Sequence, residues 1–173
     1  MEPNLRSILF SEKQKFRQWW IWVLIVIISC IELNIFYREI IPGHHHHYAS
    51  IYIYAFLNLL VIIILLISRL ETEISEVGIS YRFFPFHARQ QTIAWTEIEK
   101  GFVRKYYPIS EYGGWGLRLG LFRSGKAYNV SGNMGFQLVL KNGKSLLIGT
   151  QKPEEIQTAL RKLSEAGRFI SMP

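Results

Sequence analysis

Four consecutive histidines, His44 to His47, and a carboxylate, Glu32, set inside an apolar run are the first places in this sequence where side chains could do chemistry. Neutral imidazoles ligate zinc, copper or nickel ions. A run of four imposes no geometry, and the only carboxylate close to it is Glu39. A polar, titratable loop is the favoured account, so no metal and no cofactor is expected. Glu32 and Asn34 lie in one apolar run and Asn58 in the next. An ionisable group at membrane depth is costly and marks functional contacts, which makes these three the candidate intramembrane contacts. The plainer account puts Glu32 near the outer interface, protonated or paired with Arg38. Asn58 has the chemistry to bond across to the first run or to a second copy.

Nucleophilic catalysis finds little to work with. His87, the histidine outside the run, sits in Pro85-Phe86-His87-Ala88-Arg89 and would need a serine or cysteine beside it. Cys30 is in the apolar run, and nothing places Ser80 or Ser110 near His87. There is no aspartate in the chain, which removes aspartyl-phosphate chemistry and the usual kinase metal ligand. Gly113-Gly114-Trp115-Gly116 lacks the lysine and hydroxyl spacing of a phosphate loop. Those glycines suit a tightly turned strand start, and Trp115 suits a plug. A non-enzymatic protein is expected.

The basic residues are the remaining candidates. Lys and Arg number 20 against 13 Glu, for a net charge of +7. They are scattered among the glutamates, whereas a nucleic-acid partner needs them on one face, so none is expected. Arg104 and Lys105 beside Tyr106-Tyr107, Arg118, and Arg123 with Lys126 are the candidate lipid or partner contacts. Solvated turn tips are their structural alternative, and Arg118 also has the option of pairing with Glu155. The lone cysteine allows no intrachain disulfide.

The elements that must position these residues divide the chain in three. Residues 19–41 and 48–67 are apolar runs, each close to the ~20 residues that span a bilayer. Trp19, Trp20 and Trp22 open the first, and Tyr48, Tyr52 and Tyr54 the second, as at membrane interfaces. Arg6, Lys13, Lys15 and Arg17 precede the first run, Arg38 alone falls near the connection, and Arg69, Arg82 and Arg89 follow the second. The positive-inside rule then predicts a cytoplasmic segment 1–18, a two-helix transmembrane hairpin 19–69 with the histidine loop outside, and a soluble domain 70–173. Both termini would be cytoplasmic and the protein multi-pass.

Beyond Leu70 the period is two. Ile79, Tyr81 and Phe83, then Ile93 and Trp95, Phe102 to Tyr106, Trp115 to Leu121, Phe136 to Leu140, and Leu146 with Ile148 alternate with smaller or polar residues, as half-buried strands do. Asn142-Gly143 between two such runs is a hairpin signal. Pro153, Glu154 and Glu155 then open a helix whose Ile156, Ala159, Leu160 and Leu163 form one stripe, with Gly167 as its stop. The expectation is α+β: a membrane hairpin, then a barrel of about seven antiparallel strands closed by a C-terminal helix, with the soluble part able to fold alone.

The stretches GGWGLRLG (113–120) and AYNVSGNMGFQLVLKNGKSLLIGTQKPEEIQTAL (127–160) resemble bacterial membrane proteins with a short transmembrane hairpin and one pleckstrin-homology-like domain. The resemblance implies that barrel, the bacterial inner membrane, and a membrane-anchored interaction module. Its partner would be the lipid bilayer, another copy, or another membrane protein. The alternative is an accessory subunit of a transporter or envelope enzyme acting through its spans. Phosphoinositide binding is not expected, because the first turn, Ser75-Glu76-Val77-Gly78, is acidic and flanked by Glu71 and Glu73.

Overall fold

Among the described residues the first element is a strand. In this computed structural model, which describes residues 7–40, 48–119 and 125–167, β1 (Ile8–Lys15) precedes the apolar segment and pairs with the strand that follows it, β2 (Arg69–Ser75). The chain therefore divides into a β-rich unit made of Met1–Lys15 with Arg69–Pro173, and a helical unit, Phe16–Ser68, inserted between them. Strand β1 belongs to the β-rich unit.

In the β-rich unit, β1, β2, β3 (Gly78–Phe84) and β4 (Gln91–Ala94) form an antiparallel sheet in chain order. After a 3-10 turn at Trp95–Glu97 come β5 (Ile98–Lys105), a short helix α3 (Pro108–Tyr112), β6 (Gly116–Leu119), β7 (Lys126–Asn129), β8 (Met134–Leu140) and β9 (Ser145–Gly149). These strands build a second sheet in the order β5-β8-β9-β7-β6. Alternation decides the faces: Leu70 and Ile74, then Ile79, Tyr81 and Phe83, point into the core. Tyr81 and Phe83 set their rings 5.0 and 6.4 Å from that of Tyr128 in the other sheet. Strand β9 is covered on both sides. Leu146 and Ile148 are buried, and so is Leu147, which clusters with Tyr106, Tyr112 and Ala127.

The barrel expectation is corrected. The unit is α+β, but it has nine strands among the described residues, in two open sheets, and β7 runs parallel to β9. Period-two alternation identifies strands, but says nothing about which neighbours they choose. Here the break at Trp95–Glu97 ends the first ladder before the sheet can close.

Helix α4 (Pro153–Glu165) lies against β1, β5 and β8, with Ile156, Ala159, Leu160 and Leu163 all buried. Leu160→Ala should cost about 2–5 kcal/mol, the range for core truncations that leave a cavity. Gln157→Ala on the exposed face should change stability by less than ~0.5 kcal/mol. Urea denaturation of the full chain in detergent tests this, and near-equal midpoints would mean that the stripe is not a core face.

The helical unit holds α1 (Trp19–Ile40) and α2 (Tyr48–Ile67). The stretch Trp19–Arg38 has a mean hydropathy of 2.1, is not buried apart from Ile25, and is long and apolar enough to cross a membrane. The apolar stretch in α2, Tyr52–Ile67, is shorter. At ~1.5 Å per residue it rises about 24 Å, short of a ~30 Å hydrocarbon core. Among the described residues there is thus one candidate span, which corrects both the two-helix transmembrane hairpin and the multi-pass location in the bacterial inner membrane. His44–His47 lie outside the described residues.

Candidate functional site

Polar groups on the apolar helices are few, and three of them meet. Ser29 and Glu32 are three residues apart on α1 and so share a face. Asn58 Nδ2 on α2 donates to Glu32 Oε2 at 2.8 Å and to Ser29 Oγ at 3.0 Å, while the Ser29 hydroxyl donates to the Ile25 carbonyl at 2.9 Å. Beside them is a cavity of about 290 Å³ lined by Leu33, Ile35, Phe36 and Tyr52 as well as by Ser29 and Glu32. Glu32 is thus bonded to Asn58, and no ion pair with Arg38 is present. Asn34 is exposed and lies with Val26, Cys30 and Ile31 in a different surface depression, so it does not join the cluster. Chemically the cluster is a carboxylate with a single amide donor at the edge of an apolar cavity. It can accept from a polar group on a neighbouring helix.

The basic candidates of the β-rich unit fare differently. Arg104 is committed: Nη2 donates to Glu111 Oε2 at 2.7 Å, Nη1 to Glu111 Oε1 at 3.2 Å, and Nε to Gln137 Oε1 at 3.2 Å. Glu111 Oε1 also accepts the Tyr107 N–H at 2.8 Å, so this pair braces the turn into α3. Lys105 is exposed. Arg118 Nε donates to the Trp115 carbonyl at 2.9 Å, whereas Glu155 pairs with Lys152. Register sets Arg118 opposite Ala127 and Leu119 opposite Lys126, so Arg118 and Lys126 belong to opposite faces. Arg123 lies outside the described residues.

The hydrogen bonds from Arg104, outweighing partial burial, hold the Glu111 carboxyl below its ordinary 4.5. A depressed carboxylate contributes stability above its unfolded pKa and loses it as pH falls through the folded one. The contribution should therefore be whole above 4.5 and fade on acidification below it. Urea midpoints measured from neutral pH down to about pH 3 should fall less in Glu111→Gln than in the native protein, and identical acid profiles would count against the brace.

Two site features escaped the sequence. Glu12 and Gln14 on β1 are buried. Glu12 accepts from Thr150 Oγ1 at 2.7 Å and from the Gln151 N–H at 2.9 Å, and Gln14 Nε2 donates to the Gly149 carbonyl at 2.8 Å. Together they tie the first strand to the β9–α4 junction. His87 makes edge contacts with the rings of Tyr81 and Tyr128, while Ser80 bonds Thr92, so no nucleophile–base pair is formed there. Burial, then the nearby charge of Lys126, lowers the His87 pKa. Among the described residues no group of three or more His, Cys, Asp or Glu is placed to hold a metal ion. No family model, no curated protein and no solved structure matches this chain.

Proposed function

We propose that this protein is a membrane-anchored, non-enzymatic interaction module, in which α1 embeds in a lipid bilayer and the β-rich unit contacts lipid, another copy, or another membrane protein at its surface. The observation that carries this reading is the largely exposed apolar surface of α1, on which Val26 and Leu33 are 60% and 67% accessible. Contiguous apolar surface of that extent marks a membrane or protein contact. The strands flanking the segment pair with each other, so the β-rich unit is complete outside the helices. Full-length protein should remain in the membrane pellet after alkaline carbonate extraction. Release into the supernatant would overturn the anchoring.

The Ser29–Glu32–Asn58 cluster favours a second reading, an accessory subunit that meets its partner through the apolar helices. Crosslinking in native membranes separates the two readings. Glu32→Lys should abolish a helix-mediated crosslink and spare one made by the β-rich unit.

A further inference from the structure

Strand register fixes the end of the four-stranded sheet at which the chain departs for the apolar segment and returns from it. Lys15, the last residue of β1, lies opposite Arg69, the first of β2, and Arg69 lies opposite Phe84, the last of β3. The loop after β3, residues 85–90, therefore leaves the sheet at that same end. Three residues separate β1 from α1, and Ser68 alone separates α2 from β2. At ~3.3–3.6 Å per extended residue, covalent reach keeps Lys15 within roughly 14 Å of the start of α1.

The chemistry at this end differs from the rest of the sheet. Phe86 is 59% exposed, and its ring rests against Phe83 at 5.8 Å. Arg89 and Lys15 are exposed and make no ion pair among the described residues, whereas Lys13, Arg69 and Arg82 all converge on Glu71. Lys126 is exposed too, two residues along β7 from Tyr128, whose ring lies 5.1 Å from that of His87 in this loop. An exposed aromatic ring in a loop at the same sheet end as exposed cations suits an anionic membrane interface.

We propose that the 85–90 loop is a lipid-binding element: Phe86 enters the boundary between headgroups and acyl chains, and Arg89, Lys15 and Lys126 meet the phosphates of anionic headgroups. This rests on the anchoring of α1. The occupant is the bilayer that holds α1, because chain continuity delivers this end of the sheet to it.

The test uses full-length protein in vesicles of phosphatidylcholine and phosphatidylglycerol, with a fluorophore on one cysteine at a time. The sites are native Cys30, which is exposed on α1, and, in a Cys30→Ser background, Phe86→Cys and Val77→Cys. Val77 is also exposed, but sits in the β2–β3 turn at the opposite end of the strands. Quenchers are lipids carrying a nitroxide at the headgroup or deep in the acyl chain. Deep quenching is expected at position 30, and headgroup-level quenching several-fold stronger at 86 than at 77. Equal quenching at 86 and 77, with position 30 quenched, would overturn the loop assignment and leave the anchor standing. No quenching at position 30 would overturn both. Undiminished quenching at 86 in phosphatidylcholine alone would overturn the role given to the three cations.

Discussion

A chain shortened to begin at Ser68 is expected to lose cooperative unfolding, although it keeps eight of the nine described strands. Strand β1 pairs with β2 from Lys15 opposite Arg69 to Ile8 opposite Ser75, and buries Phe10, Glu12 and Gln14. It also lies against α4. Losing the Phe10 side chain alone would cost about 3–5 kcal/mol. Losing Glu12 strands the buried Thr150 hydroxyl, at about 1–3 kcal/mol for a group left buried without a partner, and removes the acceptor of the Gln151 N–H. Those terms together rival the ~5–15 kcal/mol that holds a typical domain folded. The matching rescue follows from the same register. Because Lys15 faces Arg69, a two-residue Asn-Gly turn can join them directly in place of residues 16–68. That shortened protein should be soluble and unfold in one transition, followed by circular dichroism in urea. If the chain starting at Ser68 unfolds with the same midpoint as the joined one, β1 is dispensable and the two-piece description of the β-rich unit fails.

Gly78→Ala should be among the most damaging single methyls in the β-rich unit. A Cβ on Gly78 would sit 2.1 Å from the Ile93 carbonyl oxygen and 2.9 Å from Ala94 Cα. Both are backbone atoms of the paired strand, since Gly78 lies opposite Ala94, and neither can rotate away as a side chain would. Relief requires β3 and β4 to separate at that end. The separation would also strain the Trp95 indole bond to the Ser75 carbonyl, 2.9 Å long. The cost should reach or exceed the top of the ~1–3 kcal/mol range for overpacking. Gly143→Ala is the control. Gly143 has φ +77° with open space around its missing Cβ, so only left-handed strain of about 1–2 kcal/mol applies. Denaturant midpoints should fall further for Gly78→Ala than for Gly143→Ala, and the opposite order would refute the close approach.

Where a local period sets the burial, the sequence was readable. The α4 stripe repeats at helical spacing and all four of its members are buried. Asn142-Gly143 lies between β8 and β9, with Gly143 at the positive φ such a turn needs. Strand β1 was hidden because two of its three buried side chains are Glu12 and Gln14. Their inward face is polar, so the segment reads as a charged tail. Sheet order was hidden for another reason: the parallel β7–β9 pairing joins strands with β8 between them in sequence, and alternation cannot report partner choice. At the candidate site, Glu32 and Asn58 stand out as polar residues in apolar runs. Ser29 does not, since serine is unremarkable there. The commitment of Arg104 to Glu111 depends on the chain doubling back through α3, which no spacing rule anticipates.

Strand β1 precedes the apolar segment and its partner β2 begins only at Arg69, which gives synthesis a fixed order of events. Ile8–Lys15 leaves the ribosome without β2 to join until the whole segment Phe16–Ser68 has been made. The ladder cannot close before that segment has found its own surroundings, and α4, which leans on β1, comes later still. The pairing is non-local, of the kind that folds slowly because loop closure precedes the reward. During the wait, the inner face of the Ser11–Lys15 half of the strand, Glu12 and Gln14, offers no apolar side chain with which to aggregate. The β-rich unit is thus built last, around a clasp whose first half was laid down before the helices.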